Sequence, residues 1–247
     1  MSTRIRLDLA IEQRRLLPSR ARARDAILRG TVSVNGEPAR KPNQMVGADD
    51  VIALDDPASG FVSRAALKLV AGLDAGGIGV EGKVCLDVGS STGGFTQVLV
   101  ERGAAKVFAV DVGHDQLHRR LKGHPRVVSI EGFNAREISR EEIAEPVDLL
   151  VSDLSFVSVT KVLEAPLGLC APRADAVILF KPQFEVGRDF VGKGGIVTDA
   201  EAVARAMGEV IAFVEAEGFA HRLSVASPIA GGDGNLETVL VFGRGYP

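Results

Sequence analysis

The stretch VCLDVGSSTGGFT, Val84 to Thr96, decides the fold class. It opens as an apolar run, closes on Asp87 and Gly89, and continues through a Ser/Thr/Gly loop into a helical pattern. Phe95, Val98 and Leu99 share one face of that helix, and Gly103 stops it. Outward from this unit the same rhythm repeats. KVFAVDVG (106–113), RVVSIEG (126–132), VDLLVSD (147–153) and DAVILFKP (175–182) are short β-rich runs separated by helical or loop segments. Such alternation predicts an α/β fold with a mostly parallel sheet and helices on both faces. A helix over 199–217 starts at Asp199, with Val203, Met207, Val210, Ile211 and Val214 as its core stripe. Two closing strands, 221–228 and 236–243, flank AGGDGN, and their hairpin is expected to add a reversed strand at the sheet edge.

Open sheets of this kind bind ligands at the carboxyl ends of their strands. The first such end carries Asp87, Gly89, Ser90, Ser91, Gly93, Gly94 and Phe95. Glycines there permit positive φ and close backbone approach. The spacing is not the G-x-G-x-x-G of dinucleotide sites. It resembles the nucleotide loop of S-adenosylmethionine (SAM) methyltransferases, where a carboxylate suits the ammonium of the cofactor. Asp111 ends the second strand and suits both ribose hydroxyls, with Val112 beside it; Asn134 follows the third strand and is placed for the adenine edge. Asp111 alone does not discriminate NAD from SAM.

Four further polar residues stand where the ligand is expected, three of them at strand ends. Lys68 lies on the amphipathic stretch SRAALKLVAGL, Asp153 ends the fourth strand, Lys181 ends the fifth, and Glu237 opens the last. Each alone is equally a snorkelling lysine, a turn residue or a surface acid. Their order around the glycine loop resembles the FtsJ-like ribose 2′-O-methyltransferases. FVSRAALKL, DVGSSTGGFT, SDLSF and KPQFEVGR with GKGGIV are similar to the TlyA (hemolysin A) branch of that family over nearly the whole chain. One departure is Ala65-Ala66, where that branch usually has Gly-Gly. This stiffens the helix near Lys68 and removes no functional group.

The resemblance implies a class I SAM methyltransferase with an antiparallel last strand, acting on a ribose 2′-hydroxyl of ribosomal RNA, a cytidine by family. It implies Lys68, Asp153, Lys181 and Glu237 as catalytic residues, with Asp153 also near SAM, S-adenosylhomocysteine as product and no metal. A sulfonium methyl is already activated, so the enzyme aligns the acceptor oxygen and removes its proton. Lys181 is the group assigned to the hydroxyl. As a neutral base it needs its pKa brought down by about 2–3 units from roughly 10.4. As a charged group it steers the oxygen lone pair instead. Both roles stay open on the sequence.

The first 50 residues differ from the rest in charge. They hold ten Lys+Arg and six Asp+Glu, whereas the whole 247-residue chain carries a net charge of −3. Arg4, Arg6, Arg14, Arg15, Arg20, Arg22 and Arg24 are candidate RNA contacts, and no aromatic precedes Phe61. Phosphate contacts on structured RNA therefore fit better than base stacking. A helical pattern runs from Arg4 to Leu17 and breaks at Pro18; a second helix over 20–29 follows Ser19 and closes at Gly30. TVSVNGE carries a hairpin signal at Asn35-Gly36, and a strand is expected over Asp50–Leu54. This head resembles the alpha-L (S4-like) RNA-binding module. The expected division is 1–55 for the head, 56–62 for the linker (DDPASG begins at 55) and 63–247 for the methyltransferase domain. The Gly-rich stretch 183–198, with Arg188 and Lys193, is expected to be an RNA-contacting lid.

Composition bounds the alternatives. Apolar residues make up 46% and charged residues 25%, which excludes wholesale disorder. No uncharged apolar run of about 18 residues and no secretory pattern occur, so a cytoplasmic protein without membrane partners is expected. Cys85 and Cys170 read as reduced core thiols, the second in a helix-end LCAP segment. Neither is placed to be a carbon-5 methylation nucleophile, and Asp153-Leu-Ser-Phe156 is not the Asn/Asp-Pro-Pro-aromatic segment of amino-group methylation. The rival readings are a membrane-lysing protein, an RNA-binding protein with an inactive methyltransferase domain, and an NAD oxidoreductase. Oligomeric state is not legible.

Overall fold

The computed structural model describes residues 4–245. The chain divides into two compact units, residues 1–60 and 61–247. In the first, the elements are β1 (Ile5–Arg6), α1 (Leu7–Gln13), α2 (Arg20–Leu28), β2 (Val32–Val34), β3 (Glu37–Pro38), β4 (Met45–Val46) and β5 (Ile52–Leu54). The helix expected from Arg4 begins only at Leu7, because Ile5 and Arg6 pair with Val46 and Met45. It ends at Gln13, ahead of Pro18; Arg15 then takes φ +57°. α2 has the expected cap, with Ser19 Oγ accepting from Arg22 N at 3.3 Å. Asn35 and Gly36 take φ +52° and +86°, the twist a two-residue hairpin needs, and join β2 to β3. Leu7, Ile11, Ala23, Ile27, Val32 and Val46 form the core. The segment expected as a linker is bonded to this unit at its start. Arg29 donates to both Asp56 oxygens at 2.8 and 2.7 Å, and Ala58 N donates to one of them at 2.9 Å.

The second unit runs α3 (Ala66–Gly76), β6 (Val84–Val88), α4 (Gly94–Glu101), β7 (Lys106–Asp111), α5 (Arg119–Lys122), β8 (Val127–Glu131), β9 (Val147–Ser152), α6 (Glu164–Gly168), β10 (Cys170–Phe180), α7 (Pro182–Glu185), α8 (Ala200–Ala216), β11 (Ala220–Ala226) and β12 (Thr238–Arg244). Its sheet has the order β11-β12-β10-β9-β6-β7-β8. β8, β7, β6, β9 and β10 are parallel, and β12 runs against both β10 and β11. The reversed strand therefore sits one place in from the edge, because the hairpin inserts β12 beside β10 and leaves β11 outermost. Cys170 starts β10 rather than ending a helix, since α6 stops at Gly168 and an irregular register between Cys170 and Asp175 carries the chain into the sheet.

Alternation along the strands builds two cores. Leu86, Val88, Phe108, Leu150, Ile178 and Phe180 meet Ala206, Val210 and Val214 of α8 on one face. Cys85, Leu149, Val151, Val177 and Leu179 meet Leu69, Leu73, Phe95 and Leu99 of α3 and α4 on the other. Each fully buried large side chain contributes roughly 1.5–3 kcal/mol. Gly72 admits the sheet, because a Cβ there would lie 2.6 Å from Val239 and 2.9 Å from Val177. α3 is thus seated on β10 and β12, which brings Lys68 to their ends.

Candidate active site

The order of strands reverses direction at β6: the chain goes to β7 on one side and later returns to β9 on the other. Here the glycine loop turns. Gly89 and Gly93 take φ +84° and +92°, and Ser91 takes +43°. Gly89 is forced by close approach as well, for a Cβ would lie 2.9 Å from the Asp153 carbonyl oxygen. Asp111 secures the loop by accepting from Ser91 N at 2.8 Å and from Gly113 N at 2.7 Å. Each of its oxygens keeps a lone pair for a further donor.

A cavity of about 590 Å³ opens beside this loop; its lining includes Gly89, Ser91, Asp111, Val112, Phe133 and Asn134. That volume lies within the range of small-molecule sites. Val88, Val110, Leu154 and Val162 supply apolar wall. Asn134 lines it, but its side chain caps a short turn, accepting from Arg136 N at 3.2 Å and donating to Glu137 at 3.0 Å. A second cavity of about 130 Å³ adjoins the first and shares Gly89, Ser91, Asp153 and Ser155 with it. Ser90, Gly94, Phe95 and Lys181 belong to its lining.

Asp87 lies beneath the loop, fully buried, and takes a 2.6 Å hydrogen bond from Thr96 Oγ1. Burial pushes its carboxyl up to about 7; the Thr96 bond opposes the rise, and Asp153 and Asp111 add to it. Its second oxygen has no hydrogen-bond partner. The other buried side-chain oxygens in that state, among the described residues, are on Ser90, Ser152, Asp153 and Gln183. All five residues stand at or just beyond the carboxyl ends of β6, β9 and β10. Buried polar atoms are ordinarily satisfied, so their concentration here fits a polar ligand with donors to offer. An adenosine-bearing molecule with an ammonium group suits both these acceptors and the Asp111 carboxylate.

The four charged residues form two ion pairs. Lys181 Nζ lies 2.6 Å from Asp153 Oδ1, and Lys68 Nζ pairs with Glu237 Oε2. The pairs are neighbours by register: Phe180 opposes Thr238 across β10 and β12, so Lys181 and Glu237 stand at the same end. All but Asp153 are buried, at 6% exposure for Lys68, 8% for Lys181 and 5% for Glu237. Only the Lys181–Asp153 pair reaches the smaller cavity; Lys68 and Glu237 lie outside its lining. Glu185 ties α7 to the turn after β9, accepting from Ser158 Oγ at 2.6 Å and Val159 N at 3.0 Å. Burial raises its carboxyl pKa against those two bonds.

The stretch 183–198 is structured at several points. α7 and two short 3-10 turns fall in it, and Arg188 and Lys193 are exposed. Asn235, only 2% exposed, accepts from Val197 N at 2.9 Å and donates to Gly195 O at 2.8 Å. In the first unit the arginines divide. Arg6 and Arg20 both grip buried Asp8 at 2.9 and 3.0 Å, which brings its carboxyl down to about 2, yet their side chains remain 43% and 52% exposed. Arg14 donates to the carbonyls of Gly47, Ala48 and Asp50, and Arg22 to that of Ala58. Arg4, Arg15 and Arg24 are exposed, with no ion pair among the described residues.

Some lining residues were not legible in advance. Ser155 accepts a 2.8 Å hydrogen bond from Lys181 Nζ. Phe156 is 91% exposed at the mouth of the larger cavity, takes φ +66°, and lies 5.3 Å from the Phe184 ring. The only sequence signal for either was position directly after a strand end. Among the described residues no cluster of three or more His, Cys, Asp or Glu is arranged to hold a metal ion, and no helix is long and apolar enough to cross a membrane.

Residues 61–244 match the FtsJ-like methyltransferase family, and residues 5–52 match the S4 domain. The chain is 45% identical to the 16S/23S rRNA (cytidine-2′-O)-methyltransferase TlyA of Mycobacterium tuberculosis, over 97% of this chain and 90% of that one. It is 39% identical to Hemolysin A of Brachyspira hyodysenteriae, over 96% and 99%. A solved structure of a putative hemolysin from Streptococcus thermophilus superposes with a TM-score of 0.76 at 32% identity, covering 99% of this chain and 90% of that one.

Proposed function

This chain belongs to the FtsJ-like methyltransferase family, in the branch that carries an S4 domain, and from that premise we propose that it moves a methyl group from SAM to a ribose 2′-hydroxyl of ribosomal RNA, on a cytidine. The observation that carries the reading is the meeting of the Lys181–Asp153 pair with the glycine loop at a shared cavity wall. SAM supplies an electrophilic methyl on a sulfonium. The larger cavity would hold the adenosine, with Asp111 available to its ribose hydroxyls and Val112 and Phe133 to its base. The polar end of the cofactor would meet the loop at Ser90, which lines the smaller cavity; Asp87 lies fully buried beneath the loop and lines neither cavity, and the Asp153 oxygen is already paired with Lys181.

Lys181 meets the acceptor hydroxyl from the smaller cavity. Its nitrogen would hold the oxygen toward the methyl; S-adenosylhomocysteine would leave as the thioether, and the hydroxyl proton would pass to Lys181 where its amine is neutral or to water where it is charged and only orients the oxygen. The Lys68–Glu237 pair stands behind it and fixes the ends of α3 and β12, a positioning role consistent with its place outside the lining. Phe156, exposed and held at a strained φ, offers an apolar face for an unstacked base; its Phe184 neighbour backs the ring. The head, with Arg4, Arg15, Arg20 and Arg24 open to solvent, supplies phosphate contacts. Arg188 and Lys193 extend such contacts to the stretch after Lys181.

Lys181→Ala tests the assignment. SAM affinity, measured by calorimetry, stays within about threefold of the parent, while transfer to ribosomal subunits falls by at least the 10²-fold typical of a lost proton-transfer group. Equal loss of SAM binding and transfer would assign Lys181 to the cofactor instead.

A further inference from the structure

We propose that Ser155 is the positioning residue that aims Lys181 at the acceptor hydroxyl, an inference that rests on the methyl-transfer reading above. Two partners lie within reach of Lys181 Nζ, and they act differently. Asp153 Oδ1 is 2.6 Å away, yet this contact lacks hydrogen-bond geometry and the oxygen has no hydrogen-bond partner. Ser155 Oγ is 2.8 Å away and accepts a directed hydrogen bond. Asp153 supplies attraction, which falls off slowly with angle. Ser155 supplies direction, because a hydrogen bond weakens steeply as its angle closes.

Geometry makes that direction consequential. A lysine nitrogen is tetrahedral and turns freely about its last carbon–nitrogen bond. The carboxylate alone holds it near one place and leaves the turn open. With the Ser155 bond also made, the turn is fixed, and the remaining tetrahedral position points one way. That holds whether the position carries a proton or a lone pair, so the inference stands for either role of Lys181. Ser155 is also well placed for the task, since it lines both cavities at the wall they share, where methyl donor and acceptor meet. The backbone fixes it in turn. Phe156, the next residue, takes φ +66°, and Gly89 leaves room for the Asp153 carbonyl at 2.9 Å from where a Cβ would stand. Lys181 needs such a guide, because it has no other hydrogen-bond partner among the described residues.

The test compares Ser155→Ala with Ser155→Thr, which keeps the hydroxyl. Single-turnover methyl transfer to ribosomal subunits is expected to fall about 10–100-fold in the alanine variant, the size of effect that misplacing a reacting group produces. SAM and RNA affinities stay within twofold, the pH profile of the rate shifts, and the threonine variant recovers to within about threefold of the parent. A second readout needs no methyl transfer. In proton–nitrogen spectra of the full chain with labelled lysine, the Lys181 Nζ signal, assigned with Lys181→Ala, is expected to report slow rotation about the carbon–nitrogen bond in the parent and the threonine variant. That rotation quickens and the signal shifts in the alanine variant, while Lys68 is unchanged. Parent-like transfer by the alanine variant, a threonine variant as impaired as alanine, or unchanged Lys181 signals would each overturn the inference. A parent protein that methylates no RNA would sink the functional reading, and the spectra would still decide the role of Ser155.

Discussion

Asp87 makes stability depend on pH in a way that Asp87→Asn should remove. The carboxyl is fully buried and pushed up to about 7 from an ordinary 3.8. In the unfolded chain it ionises near 3.8, whereas in the folded protein it keeps its proton until about 7. Between those values the folded state binds the extra proton, so this group's contribution to stability declines as pH rises through the window and is level above it. A shift of about three units corresponds to about 4 kcal/mol at most, with a slope no steeper than about 1.4 kcal/mol per pH unit. Asparagine keeps the shape and still accepts from Thr96 Oγ1, now 2.6 Å from the carboxylate. Urea unfolding of parent and variant from pH 4 to pH 8 reads the difference directly, because every other titrating group common to both cancels. The variant should gain on the parent by a few kcal/mol as pH climbs from 4 to 7, with no further gain above. Parallel curves would mean that Asp87 ionises normally in the fold and that its burial has been misjudged.

Other outcomes follow from the same geometry. If the cofactor ammonium approaches Asp87, SAM binding at pH 6 releases a proton, and binding heats differ between buffers of different ionisation enthalpy; identical heats would remove Asp87 from the cofactor's surroundings. Glu237→Ala leaves Lys68 buried without its partner and should lower unfolding free energy by about 3–5 kcal/mol, whereas Lys68→Met combined with Glu237→Leu recovers most of it; a small single effect would make the pair dispensable to the fold. Phe156→Ala should reduce transfer about tenfold or more with SAM affinity unchanged, since stacking on one aromatic is worth about 1–3 kcal/mol per base. Replacing Arg20 and Arg24 together should weaken RNA binding and lower its salt slope by about 2, leaving SAM affinity alone; intact RNA affinity would show that the head has been misread.

The elements that were legible are those with strong local signals. The runs ending at Asp87, Asp111, Asp153 and Lys181 all became strands, because each is apolar, β-branched and closed by a turn residue. The Ser19 cap and the Asn35-Gly36 turn were equally plain. What escaped depended on distant partners. Ile5 and Arg6 look helical in sequence and are strand only because Met45 and Val46 lie beside them. Asp56 looks like linker until Arg29 is found holding it. The position of β12 inside β11 is a matter of sheet order, which no local pattern encodes. In the site, Asp153 and Lys181 stood out by position after strands, Glu237 by opening the last one and Lys68 by its place on an amphipathic helix, yet their pairing as Lys68 with Glu237 and Lys181 with Asp153 needed the fold. Ser155 and Phe156 carried no chemical oddity in sequence; one hydrogen bond and one positive φ distinguish them.

The central claim is the identity of the methyl acceptor. Purified protein incubated with methyl-labelled SAM and separated ribosomal subunits, followed by nucleoside mass spectrometry, tests it most directly. Label should appear as 2′-O-methylcytidine, and Lys181→Ala should slow its appearance by about 10²-fold or more. Label on a base, or RNA that stays unlabelled in the presence of intact protein, would contradict the account.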